Sequence, residues 1–159
     1  MGTEERIIGR DRLAAFRKEN AGKRIVFTNG CFDILHRGHV TLLEQARGFG
    51  DCLIVGVNSD RSVRSLGKGD YRPFVSEEDR IYILLSLRTV DYITVFDEET
   101  PLETIEALMP DVLVKGGEYI RENIVGADFV ENSGGRVERI KMVEGFSTSG
   151  LIDKMREGS

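Results

Sequence analysis

Five short runs rich in β-branched residues recur along the chain: Arg24–Thr28 (RIVFT), Leu53–Asn58 (LIVGVN), Asp91–Val95 (DYITV), Val112–Lys115 (VLVK) and Val137–Ile140 (VERI). Apolar runs of this length predict strands. Amphipathic stretches lie between them and carry helix starts. Ser76 with Asp79, and Thr100 with Pro101 and Glu103, place a capping oxygen, a first-turn proline and a first-turn acid where helical N–H groups lack partners. Helices are therefore expected over 76–87 and 101–108. Others are expected over Val40–Gly48, after Ser149, and near Arg10–Asn20, where Leu13, Ala14 and Phe16 sit among charged residues. Regular alternation of strand and helix implies right-handed crossovers and a parallel sheet covered on both faces. The expected architecture is an α/β, Rossmann-like, open parallel five-stranded sheet. Its ligand edge would lie at the strand C-termini. Residues 1–20 read as an N-terminal helical extension and residues 21–159 as the main domain.

The composition narrows this picture. A chain of 159 residues with 40% hydrophobic and 31% charged residues suits one soluble domain. A net charge of −5 disfavours extended contact with nucleic acid, while a small anion needs only a local cationic patch. Cys31 and Cys52 are too few for a disulfide framework and form no C-x-x-C pair. The N-terminal stretch is acidic and has no long apolar run, so no leader or membrane span is expected and a cytoplasmic location is.

The candidate chemistry lies in Thr28-Asn29-Gly30-Cys31-Phe32-Asp33-Ile34-Leu35-His36-Arg37-Gly38-His39, between the first strand and the helix that follows it. Both histidines of the chain are here. Two imidazoles flanking a glycine, at a helix N-terminus with free N–H groups, suit a phosphate. They could also cap the helix, bond to backbone, or bind a metal with Cys31, although no fourth zinc ligand is evident. Neither a Walker-type nor a dinucleotide-type glycine motif occurs, which sets kinase and dehydrogenase chemistry aside. Near the C-terminus, Ser147-Thr148-Ser149 precedes a final apolar helical pattern. The segment could cap that helix, face an anion, or both.

The run GCFDILHRGH resembles the H-x-G-H signature of the cytidylyltransferase-like nucleotidyltransferases, and Ser147–Ser149 is similar to the segment that contacts the triphosphate there. Further matches are VNSD at Val57–Asp60, Arg72-Pro73, VDYITVFDEETP, PDVLVKGGEY at Pro110–Tyr119 and IVGADFV. Together they look closest to the D-glycero-β-D-manno-heptose 1-phosphate adenylyltransferases. Glycerol-3-phosphate cytidylyltransferases share the frame but differ at Lys115-Gly116-Gly117 and carry an arginine where Met142 stands. Phe146 departs from the heptose pattern, which often has cysteine there. Tyr71 and Phe74 leave the loop around Arg72-Pro73 a looser match.

The resemblance implies transfer of AMP from ATP to heptose 1-phosphate, with Mg²⁺ accompanying the nucleotide and pyrophosphate released. His36, His39 and Lys115 would be catalytic. Thr28, Asn29, Gly30, Cys31, Phe32, Gly38, Ser147, Thr148 and Ser149 would hold the nucleotide. Asp33, Lys68, Arg72, Arg80, Gly116 and Gly117 would bind substrate: Asp33 by orienting the loop, Lys68 and Arg72 by closing over the phosphates or the incoming sugar phosphate, and Arg80 by reaching the triphosphate, with a surface pair to Glu77 its competing role. No dedicated protein metal site is expected. A homodimer and a separate upstream sugar kinase are the expected partners. A glycerol-3-phosphate cytidylyltransferase or a noncatalytic nucleotide-binding module are the competing readings.

Overall fold

β1 (Ile25–Gly30), β2 (Cys52–Asn58), β3 (Tyr92–Phe96), β4 (Val112–Gly116) and β5 (Arg136–Ile140) form one sheet in the order β3-β2-β1-β4-β5. Every pairing is parallel, as expected. The computed structural model describes residues 1–158. Side chains alternate across the sheet, so each central strand feeds two cores. Val26, Val55 and Val114 pack under α2 (Arg37–Arg47) and α4 (Glu77–Leu85). Ile25, Phe27, Ile54 and Leu113 face α1 (Arg10–Glu19), α5 (Leu102–Leu108) and α6 (Ala127–Asn132).

The N-terminal segment is stitched to this frame. Leu13 is fully buried in the second core. Ile7 bridges Ile93 in parallel fashion, which covers part of the exposed edge of β3. The Arg6 guanidinium donates to the carbonyls of Leu85, Val90 and Asp91. At the sheet edge where strands begin, Asp51, Asp91 and Asp111 accept from the backbone N–H groups of Arg24, Leu53 and Ile25 at 2.7–2.8 Å.

Several boundaries differ from the sequence pattern. α2 begins at Arg37, because His36 caps it. α5 begins at Leu102 after Pro101 and has no side-chain cap, so Thr100 does not supply the expected oxygen. Ser76 does cap α4, its Oγ accepting from Asp79 N. α3 (Asp60–Ser65), capped by Ser59, was not expected, since six residues are too few to show a helical period.

β1 pairs with β2 along its whole length but with β4 only at Val26↔Val112 and Phe27↔Leu113. Beyond these, Thr28 Oγ1 donates to the Val114 carbonyl at 3.0 Å in place of a ladder bond. The strand order reverses between β1 and β4, which makes their parting C-terminal ends the natural ligand crevice.

Candidate active site

A cavity of about 510 Å³ opens at that crevice. Asn29 and Gly30 reach it from β1, Cys31, Phe32 and Asp33 from the following loop, and Lys115 and Gly116 from β4. His39 and Leu42 come from α2, Lys68 and Arg72 from the connection after α3, and Ser147, Thr148 and Ser149 from the start of α7 (Thr148–Glu157). The N-termini of two long helices thus converge on one cavity, and their free N–H groups give it positive potential.

The histidines are structural as well as exposed to chemistry. His36 Nδ1 accepts from Gly38 N at 3.0 Å, and His39 Nδ1 accepts from His36 N at 3.3 Å. This reciprocal capping box is built from two imidazoles where Ser and Glu are usual. A nitrogen that accepts carries no proton, so each neutral ring holds its proton on Nε2 and can donate from there. The rings stack with centroids 3.8 Å apart, and Phe32 meets His39 edge-on at 5.3 Å. Burial, helped by the neighbouring His36, pushes His39 down to about 4, and burial also lowers His36. Both are neutral donors near pH 7. His39 lies on the cavity wall, whereas His36 stands behind it. Gly38 separates them for a steric reason: a Cβ there would lie 2.8 Å from His36 Cε1.

Among the described residues Lys68 and Lys115 form no ion pair; Lys68 Nζ lies 3.8 Å from Cys31 Sγ, and Lys115 Nζ sits 4.9 Å over the Tyr119 ring centroid. Burial first, then the charge of Lys68, lowers the Lys115 pKa. Two cations on one wall without a carboxylate partner among the described residues favour an anionic ligand. Asp33 is the cavity's one carboxylate. It accepts from Phe74 N at 3.0 Å and Val75 N at 2.8 Å, and its Oδ2 lies 2.6 Å from Arg72 Nε in an ionic contact not aligned as a hydrogen bond. Asp33 and Arg72 therefore clasp two loops together, and each neutralises the other. Ser147 Oγ caps α7 by accepting from Gly150 N at 2.9 Å, and Thr148 Oγ1 donates to the Ile34 carbonyl at 3.3 Å.

Five expected site residues lie off the cavity wall. Thr28 is 1% exposed and spans β1 and β4 as described. His36 and Gly38 form the helix cap. Gly117 adopts φ +112°, open to glycine and costly for other residues, and carries the chain away from β4. Gly116 does line the cavity, and a Cβ on it would meet Met142 Sδ at 2.7 Å, so its close approach is to protein.

Arg80 is the clearest departure from expectation. It is 1% exposed and donates to the carbonyls of Val75, Cys31 and Asn58 and to Asp60 Oδ1, at 2.7–3.0 Å. It is neither at the cavity nor paired with Glu77. Capping α4 at Ser76 turns this side chain inward, under the loop. Leu42 and Met142 line the cavity without having been assigned to it. Leu42 could have been found, since it lies three residues after His39 on the same helical face.

Residues 27–145 match the cytidylyltransferase-like family. The chain is 54% identical over 159 residues to the bifunctional protein HldE of Geotalea uraniireducens, covering 99% of this chain and 32% of that one. It is 59% identical over 132 residues to HldE of Koribacter versatilis, covering 83% and 27%. The chain thus spans about a third of the length of these curated relatives. Among solved structures, the lipopolysaccharide core biosynthesis protein of Thermoplasma volcanium is similar at 27% identity and TM-score 0.63, covering 77% of this chain and 98% of that one. Pantoate-β-alanine ligase from Francisella tularensis, at 14% identity and TM-score 0.60 over 95% and 77%, shares the fold. With the match extending from β1 to the approach to α7, the chain belongs to the cytidylyltransferase-like family.

Proposed function

We propose that this chain transfers AMP from ATP to D-glycero-β-D-manno-heptose 1-phosphate, giving ADP-heptose and pyrophosphate. The observation that carries the reading is the meeting of His39, the start of α7 and the cations Lys68 and Lys115 around one cavity. The similarity to HldE proteins and to a lipopolysaccharide core biosynthesis protein supports the choice of sugar. An oxygen of the sugar phosphate attacks the α-phosphorus in line as the bond to the bridging oxygen breaks, and pyrophosphate leaves with that electron pair. His39 donates from Nε2 to a phosphoryl oxygen where charge builds, and His36 holds it in place. Lys115 steadies the incoming phosphate and the α-phosphate together. No covalent enzyme intermediate is needed.

Asp33, already engaged three times over, leaves no free carboxylate on the cavity, and no cluster of His, Cys, Asp or Glu among the described residues could hold a metal ion. Mg²⁺ is assigned to the nucleotide, as the counter-ion of its phosphates. No helix among the described residues is long and apolar enough to cross a membrane. A cytoplasmic location and supply of the sugar phosphate by a kinase complete the reading. The deciding experiment is pyrophosphate release across a matrix of nucleoside triphosphates against sugar and polyol phosphates. Highest kcat/KM with ATP and heptose 1-phosphate is expected, and no release with any sugar phosphate would refute the reading.

A further inference from the structure

Among the described residues, Phe32 and Met109 alone adopt positive φ without being glycine. Met109 ends α5, where a left-handed residue is an ordinary helix stop. Phe32, at φ +50°, sits in the loop between β1 and α2, and a Cβ is crowded in this region unless the surroundings hold it there. Both neighbours of Phe32 are held. The Cys31 carbonyl accepts from Arg80 Nη1 at 2.7 Å, and the Asp33 carboxylate accepts from Phe74 N and Val75 N. The ring is thereby sent beneath the cavity, into the core that contains Leu42 and Val114, and Phe32 is only 5% exposed. Gly30 leaves room for it, since a Cβ there would come within 3.1 Å of Phe32 Cε2. The ring then meets the His39 imidazole edge-on, with centroids 5.3 Å apart and planes at 62°.

We propose that Phe32 is a positioning residue for the transfer, its ring bracing His39 so that Nε2 stays aimed at the phosphates. The inference rests on the nucleotidyl-transfer reading. His39 has two other restraints, a 3.3 Å hydrogen bond from His36 N and the stack on the His36 ring. Both come from His36, at the start of the same helix, so neither ties the imidazole to the loop that floors the cavity. One long hydrogen bond leaves a ring free to tilt about it, and an edge contact from a fixed aromatic ring blocks that tilt. Phe32 thus sets His39 relative to the loop backbone, and the two clamps on either side of it hold the costly conformation that this requires. The same ring shields the imidazole from water, adding to the burial that keeps it neutral. On α2, His36 faces His39 directly, and from the other elements Asp33, Lys68, Arg72 and Lys115 line the same cavity. A side chain so little exposed offers a nucleotide almost no surface, which separates this role from direct ligand contact.

The test uses the full chain, whose two histidines give two imidazole signals to follow by NMR without substrate, from about pH 8 down to about pH 5. Phe32→Gly removes the ring and adopts φ +50° freely. Phe32→Leu keeps apolar bulk and carries the measurement if the glycine variant does not fold. Ile105→Val, in the core on the other face of the sheet, is the control for general loosening. His39 should stay neutral across this range in the wild type and in Ile105→Val, and should become charged within it in both Phe32 variants. In steady-state kinetics the Phe32 variants should lose about ten- to a hundredfold in kcat, with KM for ATP within about threefold. A His39 that stays neutral in both variants, or a raised KM for ATP with kcat preserved, would overturn the proposal. No turnover of any sugar phosphate by the wild type would refute the transfer reading and with it the purpose of the brace, a failure that the substrate-free titration distinguishes from failure of the Phe32–His39 contact itself.

Discussion

His36 and His39 close a helix through one ring nitrogen each, and on the proposed reading His39 keeps the other free to donate to a phosphoryl oxygen. Their Nδ1 atoms are spent on backbone N–H groups, so a simple truncation mixes two effects. His39→Ala is expected to lower kcat about a hundredfold or more, as loss of a transition-state donor does. His36→Ala should also destabilise the fold by ~1 kcal/mol through loss of the cap. Asparagine caps well, so His36→Asn should keep the urea midpoint while turnover still falls; recovered turnover would make His36 a cap alone.

Protonation offers a second check. His39 is held at about 4 in the folded chain against an ordinary 6.5, so the unfolded chain binds the extra proton between those values. Stability is therefore full above pH 6.5 and declines as pH falls toward 4. The Arg10 hydrogen bond holds Glu98 at about 2 against an ordinary 4.5, which adds a further loss from pH 4.5 downward. Urea midpoints measured against pH should show both stages, and His39→Gln should shrink the upper one to the contribution of His36 while leaving the lower one unchanged.

At the level of elements, the loop between β1 and α2 is positioned by what lies beneath it. Arg80, from the first turns of α4, joins that loop to the end of β2, to α3 and to the segment before α4. Asp33 joins the loop to residues 72–75 from above. Arg80→Met would leave three carbonyls and Asp60 without their cation, a change expected to cost about 3–5 kcal/mol in urea unfolding. Asp33→Asn should destabilise less, yet it should release the 66–76 connection. Faster amide hydrogen exchange there than in β1 would report that release, whereas unchanged exchange would show that Arg80 alone holds the loop.

The whole molecule decides substrate choice and association. With ATP, heptose 1-phosphate is expected to show a higher kcat/KM than glycerol 3-phosphate shows with CTP, since a pocket built for several hydroxyls leaves polar groups unpaired around a shorter polyol. The reverse ranking would keep the transfer chemistry and move the acceptor. We also propose a homodimer, supported by Phe74, Ile152 and Met155 around an apolar groove beside α7. Light scattering at assay concentration checks it, and a monomer mass would exclude it.

Strand positions, the parallel sheet and the H-x-G-H turn were all legible in the linear chain, because they depend on periodicities and turn residues that act over a few positions. Most of the cavity wall was legible too, since loops at strand C-termini form the ligand edge of such sheets. What only the tertiary structure decided was the direction and engagement of individual polar side chains. Arg80 and Arg72 are both arginines near the same edge, yet one is buried under carbonyls from three segments and the other lines the cavity beside Asp33. Thr28 likewise belongs to the motif but spends its hydroxyl on Val114, 86 residues away. Local sequence sets what a side chain can donate. Long-range packing sets which carbonyl or carboxylate is within 3 Å of it.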